Sequence, residues 1–243
     1  MNFYALIIGT EILNGRRVDK HFEFVKNELA KYSHELFASF IVKDDTELIT
    51  QAYELIKADA DSIMFSFGGI GSTPDDLTRE ISSKVFTSQP LETHEKFRQD
   101  IINRFGDEAY PHRVHMADLP PNAKLLQNPV NNMSGYSLQE RFFFVPGFPQ
   151  MAHPMISNVI QTCFSDKKER YRETLIAQTS ENTLIDIMNL VPSHVELSSL
   201  PMLKNDTPSV ELSLIGSNKE EVHIYFQRFC DTLNSKKITY QEL

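Results

Sequence analysis

Basic residues, cysteines and long apolar runs are all scarce in this chain, and each scarcity removes a class of function. Lys and Arg number 24 against 33 Asp and Glu, a net charge of −9. No basic stripe offsets that balance, and backbone binding to nucleic acid is driven by Lys and Arg, so no nucleic-acid partner is expected. Only two cysteines occur, Cys163 and Cys230, in distant segments without a C-x-x-C pair, which excludes a disulfide framework and a zinc site. No run approaches the ~18 apolar residues that span a bilayer, and Met1–Ile8 lacks the basic start and cleavage site of a signal peptide. A cytoplasmic protein without membrane association is expected. No internal repeat or low-complexity tract is found. What remains is an ordinary globular composition, 41% hydrophobic and 23% charged over 243 residues, enough for one sizeable core and a smaller second unit.

The most informative stretch is Ser62–Glu80. Ser62–Phe67 is a short apolar run of the length of a buried central strand. Gly68, Gly69 and Gly71 follow, three of only nine glycines in the chain, and supply backbone for close approach to a ligand and an anion-binding nest. Thr73 then reads as a helix N-cap, Pro74 as the first helical residue, and Asp75 and Asp76 as first-turn carboxylates. The combination describes a phosphate site that also holds a cation. A plainer alternative makes Asp76 the acidic half of a capping box and the glycines a tight turn.

Elsewhere apolar periodicity predicts strands at Phe3–Ile8, Leu36–Val42, Ala123–Gln127, Tyr136–Leu138 and Phe142–Val145. Helices are predicted over Val18–Tyr32, from Leu48 to Ile56, over Glu92–Phe105 and after Pro149. Gly106–His115 reads as a polar connection, and Met151 and Met155 as core filler. Alternating strands and helices argue for a parallel sheet that becomes mixed toward its end, with ligands beyond the carboxyl ends of its strands. Glu11, Asp44 and Asp45 then converge with the glycine loop on one rim. The charged run Ser165–Arg170 places a boundary between residues 1–165 and residues 170–243. The second part reads as β-α-β-β-α: strands Arg172–Gln178, Val195–Leu200 and Val210–Ile215, helices Ser180–Leu190 and Asn218–Leu233, and a peripheral tail.

GGIGSTPDDLTRE (68–80) resembles the GGLGPTPDDLTRE signature of the N-terminal domain of the competence/damage-inducible protein CinA at nearly every position. The likeness extends from Phe3 to about Ile160. Gly9–Gly15 with Val18-Asp19 resembles the family's G-D-E-L-L-x-G…V-D-T-N entry, with Thr10 in place of an acid and His21 in place of Asn. Asn128-Pro129-Val130 with Gly135 resembles N-P-V-G-x-A-P-G, with Asn131, Met133 and Ser134 altered. Val145–Pro149 resembles L-P-G-V-P, with Met151 where a Glu follows. Ser72 replaces a Pro.

The resemblance implies an α/β, three-layer αβα molybdopterin-binding fold with a mostly parallel sheet, followed by a small α+β, KH-like domain. That second part lacks a G-x-x-G loop and a basic face, which argues against RNA binding. The implied activity is metal-dependent hydrolysis of an ADP-ribose-type nucleotide. Asp44, Asp76 and Glu11 are then the catalytic carboxylates, Asp44 and Asp76 hold Mg, Mn or Co, and Gly68, Gly69, Gly71, Ser72 and Thr73 cradle the diphosphate. Gly9, Asp19, Asp75, Asn128, Gly135, Pro146 and Gly147 complete the binding set. Two other readings stay open: a binder of pterin or pterin nucleotide, with or without adenylyl transfer, and a non-catalytic homologue, to which Thr10, Asn131 and Met151 point. A small-molecule nucleotide or pterin and further copies of the chain are the expected partners. The chain ends at Leu243, so the nicotinamide-nucleotide deamidase activity of a further CinA domain is expected to be absent.

Overall fold

The computed structural model describes residues 1–166, 169–204 and 207–243. The chain divides into two compact units, Met1–Asp166 and Lys167–Leu243. Lys167 and Lys168, inside the charged run read as a boundary, lie outside the described residues.

The first unit runs β1 (Asn2–Ile8), α1 (Thr10–Leu13), α2 (His21–Ala30), β2 (Leu36–Val42), α3 (Thr46–Ala58), β3 (Ser62–Phe67) and α4 (Thr78–Ser82). It continues with β4 (Glu92–Thr93), α5 (Glu95–Phe105), β5 (Asp118–Leu119), β6 (Lys124–Leu126), β7 (Gly135–Leu138), β8 (Phe142–Val145) and α6 (Pro149–Cys163). The main sheet has the order β2-β1-β3-β8-β7-β6. β2, β1, β3 and β8 are parallel, and β7 and β6 are antiparallel.

β1, β3 and β8 are almost uninterrupted apolar runs because both faces of the sheet are covered, and successive side chains enter opposite cores. Phe3, Ala5, Ile7, Phe65, Phe67 and Val145 meet Val25 and Leu29 of α2 and Ile156 and Ile160 of α6. Tyr4, Leu6, Ile8, Met64 and Phe144 meet Ile49, Tyr53 and Ile56 of α3, with Ile81 of α4 and Phe97 and Ile101 of α5. The result is three layers, αβα. Asp45 caps α3 by accepting from the amides of Glu47 and Leu48. The connection β1-α2-β2 runs to one side and the next parallel strand, β3, lies on the other side of β1, a topological switch point of the kind where open α/β sheets take ligands.

Three expected helix starts in the first unit are corrected: α2, expected from Val18, begins at His21, where Asp19 accepts from the amides of His21 and Phe22. No helix starts at Thr73; residues 71–77 are turns, and α4 begins at Thr78 with Leu77 as its cap. The Asp76 carboxylate accepts from the Thr73 amide, as the acidic half of a capping box does, but also from the Gly71 amide, and the turn it closes, with the Asp76 amide on Thr73 O, does not continue as a helix. The helix expected from Glu92 starts at Glu95, because Glu92 and Thr93 pair with β5 and His94 caps the helix.

In the second unit β9 (Tyr171–Ala177), α7 (Ile185–Met188), β10 (Glu196–Lys204), β11 (Thr207–Gly216), α8 (Lys219–Ser235) and β12 (Tyr240–Glu242) follow one another. They form an antiparallel sheet in the order β10-β11-β9-β12. Leu175, Leu212 and Leu214 pack against Phe226 and Phe229 of α8. The long helix expected over Ser180–Leu190 is a 3-10 turn at Glu181–Thr183 and the single-turn α7; Asn182 and Thr183 are weak helix formers. The tail expected to be peripheral forms β12, since β9 has an open edge and the tail supplies the missing ladder.

Candidate functional site

Four parallel strands end on one rim, and their following loops enclose a cavity of about 540 Å³. Ile8 comes from the end of β1, Asp44 follows β2, Gly68–Asp76 follows β3, and Pro146–Phe148 follows β8. Glu11 and Arg17 line it from the β1 side, while Phe97, Phe105, Arg113 and Met116 form another wall. The volume suits a nucleotide-sized molecule.

Four carboxylates line the cavity; Asp75 is exposed, and hydrogen bonding to Thr73 lowers its pKa, while the other three have fixed partners. Asp44 Oδ2 accepts from the amide of Thr10 at 2.8 Å, and the amide of Asp44 donates to the Thr10 hydroxyl at 3.2 Å. That reciprocal pair ties the loops after β1 and β2 together. An acid at position 10 would set a second carboxylate beside Asp44, so the threonine removes a repulsion. Glu11 lies 3.8 Å from the Arg17 guanidinium. Asp76 is the most constrained: Oδ1 accepts from the amide of Gly71 at 2.7 Å, and Oδ2 accepts from the amide of Thr73 at 2.8 Å and its hydroxyl at 2.6 Å.

The glycine loop is therefore partly self-occupied. The Gly71 and Thr73 amides, expected to cradle a phosphate, are spent on Asp76. The amides of Gly69, Ile70 and Ser72 have no partner among the described residues. These three are the backbone donors the loop has left. Glycine is required here by the protein itself: a Cβ at Gly68, at φ +98°, would lie 2.4 Å from the carbonyl oxygen of Ile8. One at Gly69, at φ +69°, would lie 2.4 Å from the Thr78 hydroxyl.

Of the expected site residues, Glu11, Asp44, Gly68, Gly69, Gly71, Ser72, Thr73, Asp75, Asp76, Pro146 and Gly147 line the cavity. Gly9, Asp19, Asn128 and Gly135 do not, and each has a structural task instead. Asp19 accepts from the amides of His21 and Phe22 at the start of α2. Asn128 is fully buried and pins its turn through the Val130 amide and the Met133 carbonyl. Gly135 lets β7 approach β8, since a Cβ would lie 2.3 Å from the Phe144 carbonyl oxygen. Gly9 is extended, at φ 174°, and packs beside the Glu11 side chain.

The match to known proteins agrees with this geometry. A family model described as "Probable molybdopterin binding domain" matches residues 4–166, the unit that carries the cavity. The chain belongs to this family. A crystal structure of the protein CinA from Thermoplasma acidophilum, itself described as of unknown function, superposes with a TM-score of 0.60 at 28% identity, covering 66% of this chain and 98% of that one. A CinA-like protein of Citrifermentans bemidjiense is 30% identical over 169 residues, 66% of this chain and 40% of that protein. A protein of Caldivirga maquilingensis is 28% identical over 235 residues, 91% of either chain. The chain thus spans less than half the length of the CinA-like relative and nearly all of the other.

As a member of the molybdopterin-binding-domain family, the chain also places residues at the site that the sequence reading missed. Ile70, Arg17, Phe97, Phe105, Arg113, Met116 and Phe148 line the cavity. The Arg113 guanidinium sits 4.5 Å above the Phe105 ring and 2.8 Å from Glu108 Oε2. The segment read as a polar connection carries Arg113, and its pattern of short 3-10 turns has no periodicity to reveal a wall. Met151 is corrected from core filler to cavity lining; its sulfur is 3.5 Å from Asn131 Nδ2, so two positions that depart from the family pattern touch each other. Met155 is buried as expected. His21 Nε2 lies 3.2 Å from the carbonyl oxygen of Gly147, which binds α2 to the cavity's Pro146–Gly147 edge.

Among the described residues no three His, Cys, Asp or Glu side chains are grouped to hold a metal ion. Asp44 Oδ1 and Glu11 remain as oxygen donors with open positions, while Asp76 is taken up by the loop. That set fits a hard ion held by one or two carboxylates together with substrate phosphate oxygens, the usual arrangement of Mg²⁺. It does not fit a resident cage. Among the described residues no helix is long and apolar enough to cross a membrane.

Proposed function

We propose that this CinA-like protein hydrolyses the diphosphate of an ADP-ribose-type nucleotide with a divalent ion that enters with the substrate. The observation that supports it is one cavity holding three unpaired loop amides, two guanidinium groups, two carboxylates with open oxygens and an aromatic wall. Gly69, Ile70 and Ser72 donate to the diphosphate, and Arg17 and Arg113, both lining the cavity, balance its charge. Phe97, Phe105 and Met116 take the base. Asp44 and Glu11 hold the ion, which when bound draws charge from the diphosphate oxygens. Fixed donors aimed at developing charge lower the barrier without reorganising.

The test is to incubate the protein with ADP-ribose and Mg²⁺, Mn²⁺ or Co²⁺ and to follow AMP release. Absence of AMP with all three ions, from folded protein, rejects hydrolysis. The family match supports a second reading, a pterin-phosphate binder on the same rim. Tight binding of molybdopterin together with no AMP release would select it.

A further inference from the structure

Four consecutive carbonyls of the glycine loop are held from beneath by two residues of α4. The Thr78 hydroxyl donates to Gly68 O at 2.9 Å and the Thr78 amide to Gly69 O at 3.0 Å. Arg79 Nη1 donates to both Ile70 O and Gly71 O. A trans peptide points its C=O and its N–H in opposite directions. Each carbonyl drawn toward Thr78 or Arg79 therefore turns the next amide, at Gly69, Ile70, Gly71 or Ser72, away from α4. Asp76 takes the Gly71 amide, and the other three are the unpaired ones.

Arg79 is an unusual choice for this task. It is 9% exposed, its Nε is buried without a partner, and among the described residues it forms no ion pair. A neutral donor would satisfy the same carbonyls without the cost of burying a charge. Ser82 and Tyr136, hydrogen-bonded to each other at 2.8 Å, brace the segment, and the Ser82 hydroxyl also bonds Arg79 O at 3.0 Å. Arg79 Nε and the guanidinium charge are what this bracing leaves unmatched.

We propose that Arg79 is the positioning residue of the anion site: it aims the loop amides outward, and its charge, which no direct ion pair among the described residues meets and which Asp76 faces only from the far side of Gly71, is neutralised across the loop by the phosphate of the ligand. This rests on the reading that the loop binds a phosphate group. Arg79 touches no ligand atom itself. Its charge, not its hydrogen bonds alone, sets the affinity.

The experiment is calorimetric titration of the full chain with inorganic pyrophosphate, with and without Mg²⁺, for wild type, Arg79→Gln and Arg79→Lys, with melting temperatures for each. The Gln variant keeps a donor and removes the charge, and its affinity is expected to fall by at least about tenfold, the worth of one unit charge pair about 12 Å apart at an effective dielectric of about 20, with a closer phosphate losing more. The Lys variant is expected to bind within about threefold of wild type, because the charge is restored. A folded Gln variant that binds like wild type overturns the proposal, as does a folded Lys variant as weak as the Gln one. If the Gln variant does not fold, the Lys variant decides alone, and a tenfold loss there overturns it. Wild type that binds neither pyrophosphate nor ADP-ribose rejects the phosphate-site reading itself, whereas binding that is indifferent to Arg79 rejects only the role of Arg79.

Discussion

Asp76 shows how one side chain settles between two readings of the same motif. Its carboxylate accepts three hydrogen bonds from Gly71 and Thr73, so it shapes the loop before it does anything else. Asp76→Asn replaces one acceptor oxygen with an NH2 that faces an amide donor. We expect the variant to lose about 0.5–1.5 kcal/mol of stability, the net worth of a hydrogen bond at a half-exposed group, and to bind pyrophosphate more weakly than wild type. A melting temperature equal to wild type would show that the loop does not depend on this carboxylate. A second residue-scale device is the pair His21 and His153, rings 5.3 Å apart, with His21 Nδ1 and His153 Nε2 both buried without partners. Burial, followed by the nearby His21, pushes His153 from its ordinary 6.5 down to about 4, while Asp19 opposes the shift. Burial also lowers His21, against the pull of Gly147 O and Asp19. Between about 4 and 6.5 the unfolded chain therefore binds protons that the folded chain refuses. The stability is complete above that window and is lost as pH falls through it. His153→Phe keeps the parallel stacking on Phe24, at 3.8 Å, and should flatten the melting temperature between pH 6.5 and 4 without abolishing its slope, because His21 remains.

At the scale of an element, α6 is a helix whose start is chemically unfinished. It has no side-chain cap and no acidic residue in its first turn, yet that turn meets the cavity through Met151. The positive end of its macrodipole and the Asn131 amide both face a thioether. Met151→Glu places a carboxylate there, which the dipole stabilises by about 0.3–1 kcal/mol, and adds an oxygen ligand to Asp44 and Glu11. We expect an unchanged or slightly raised melting temperature, and a further rise on adding Mg²⁺ that exceeds the rise in wild type. A folded variant with no added response to Mg²⁺ would show that this position does not reach the ion.

At the scale of the molecule, each unit builds its own core: two clusters in residues 1–166 and one in the remainder. All cavity residues lie in the first unit. Residues 1–166 expressed alone should therefore fold cooperatively and bind ADP-ribose within about threefold of the full chain, with binding read as a rise in melting temperature because the ligand stabilises only the native state. Ligand-dependent melting of both forms checks this. Loss of binding in a folded fragment would assign the second unit a part in recognition.

The amino-acid sequence by itself determined the layer order, the mixed sheet and the rim. Apolar runs such as Phe3–Ile8 and Ser62–Phe67 are readable because burial on both faces leaves no polar alternation, and the position of each following loop is then set by chain direction. The CinA-like glycine loop was legible for the same local reason. Which of its amides stay free was not, because that depends on Asp76 folding back and on Thr78 and Arg79 reaching up from α4. Asn128 and Gly135 look like site residues in a motif and prove to be supports, since motif matching does not register burial. Arg113 and Met116 reach the cavity from a segment without periodicity and Phe105 from the last residue of α5, and only tertiary packing brings them to one wall. Local patterning specifies elements because it is a property of neighbours in the chain; the cavity is assembled by hydrogen bonds and contacts between segments far apart in it, which tertiary structure alone decides.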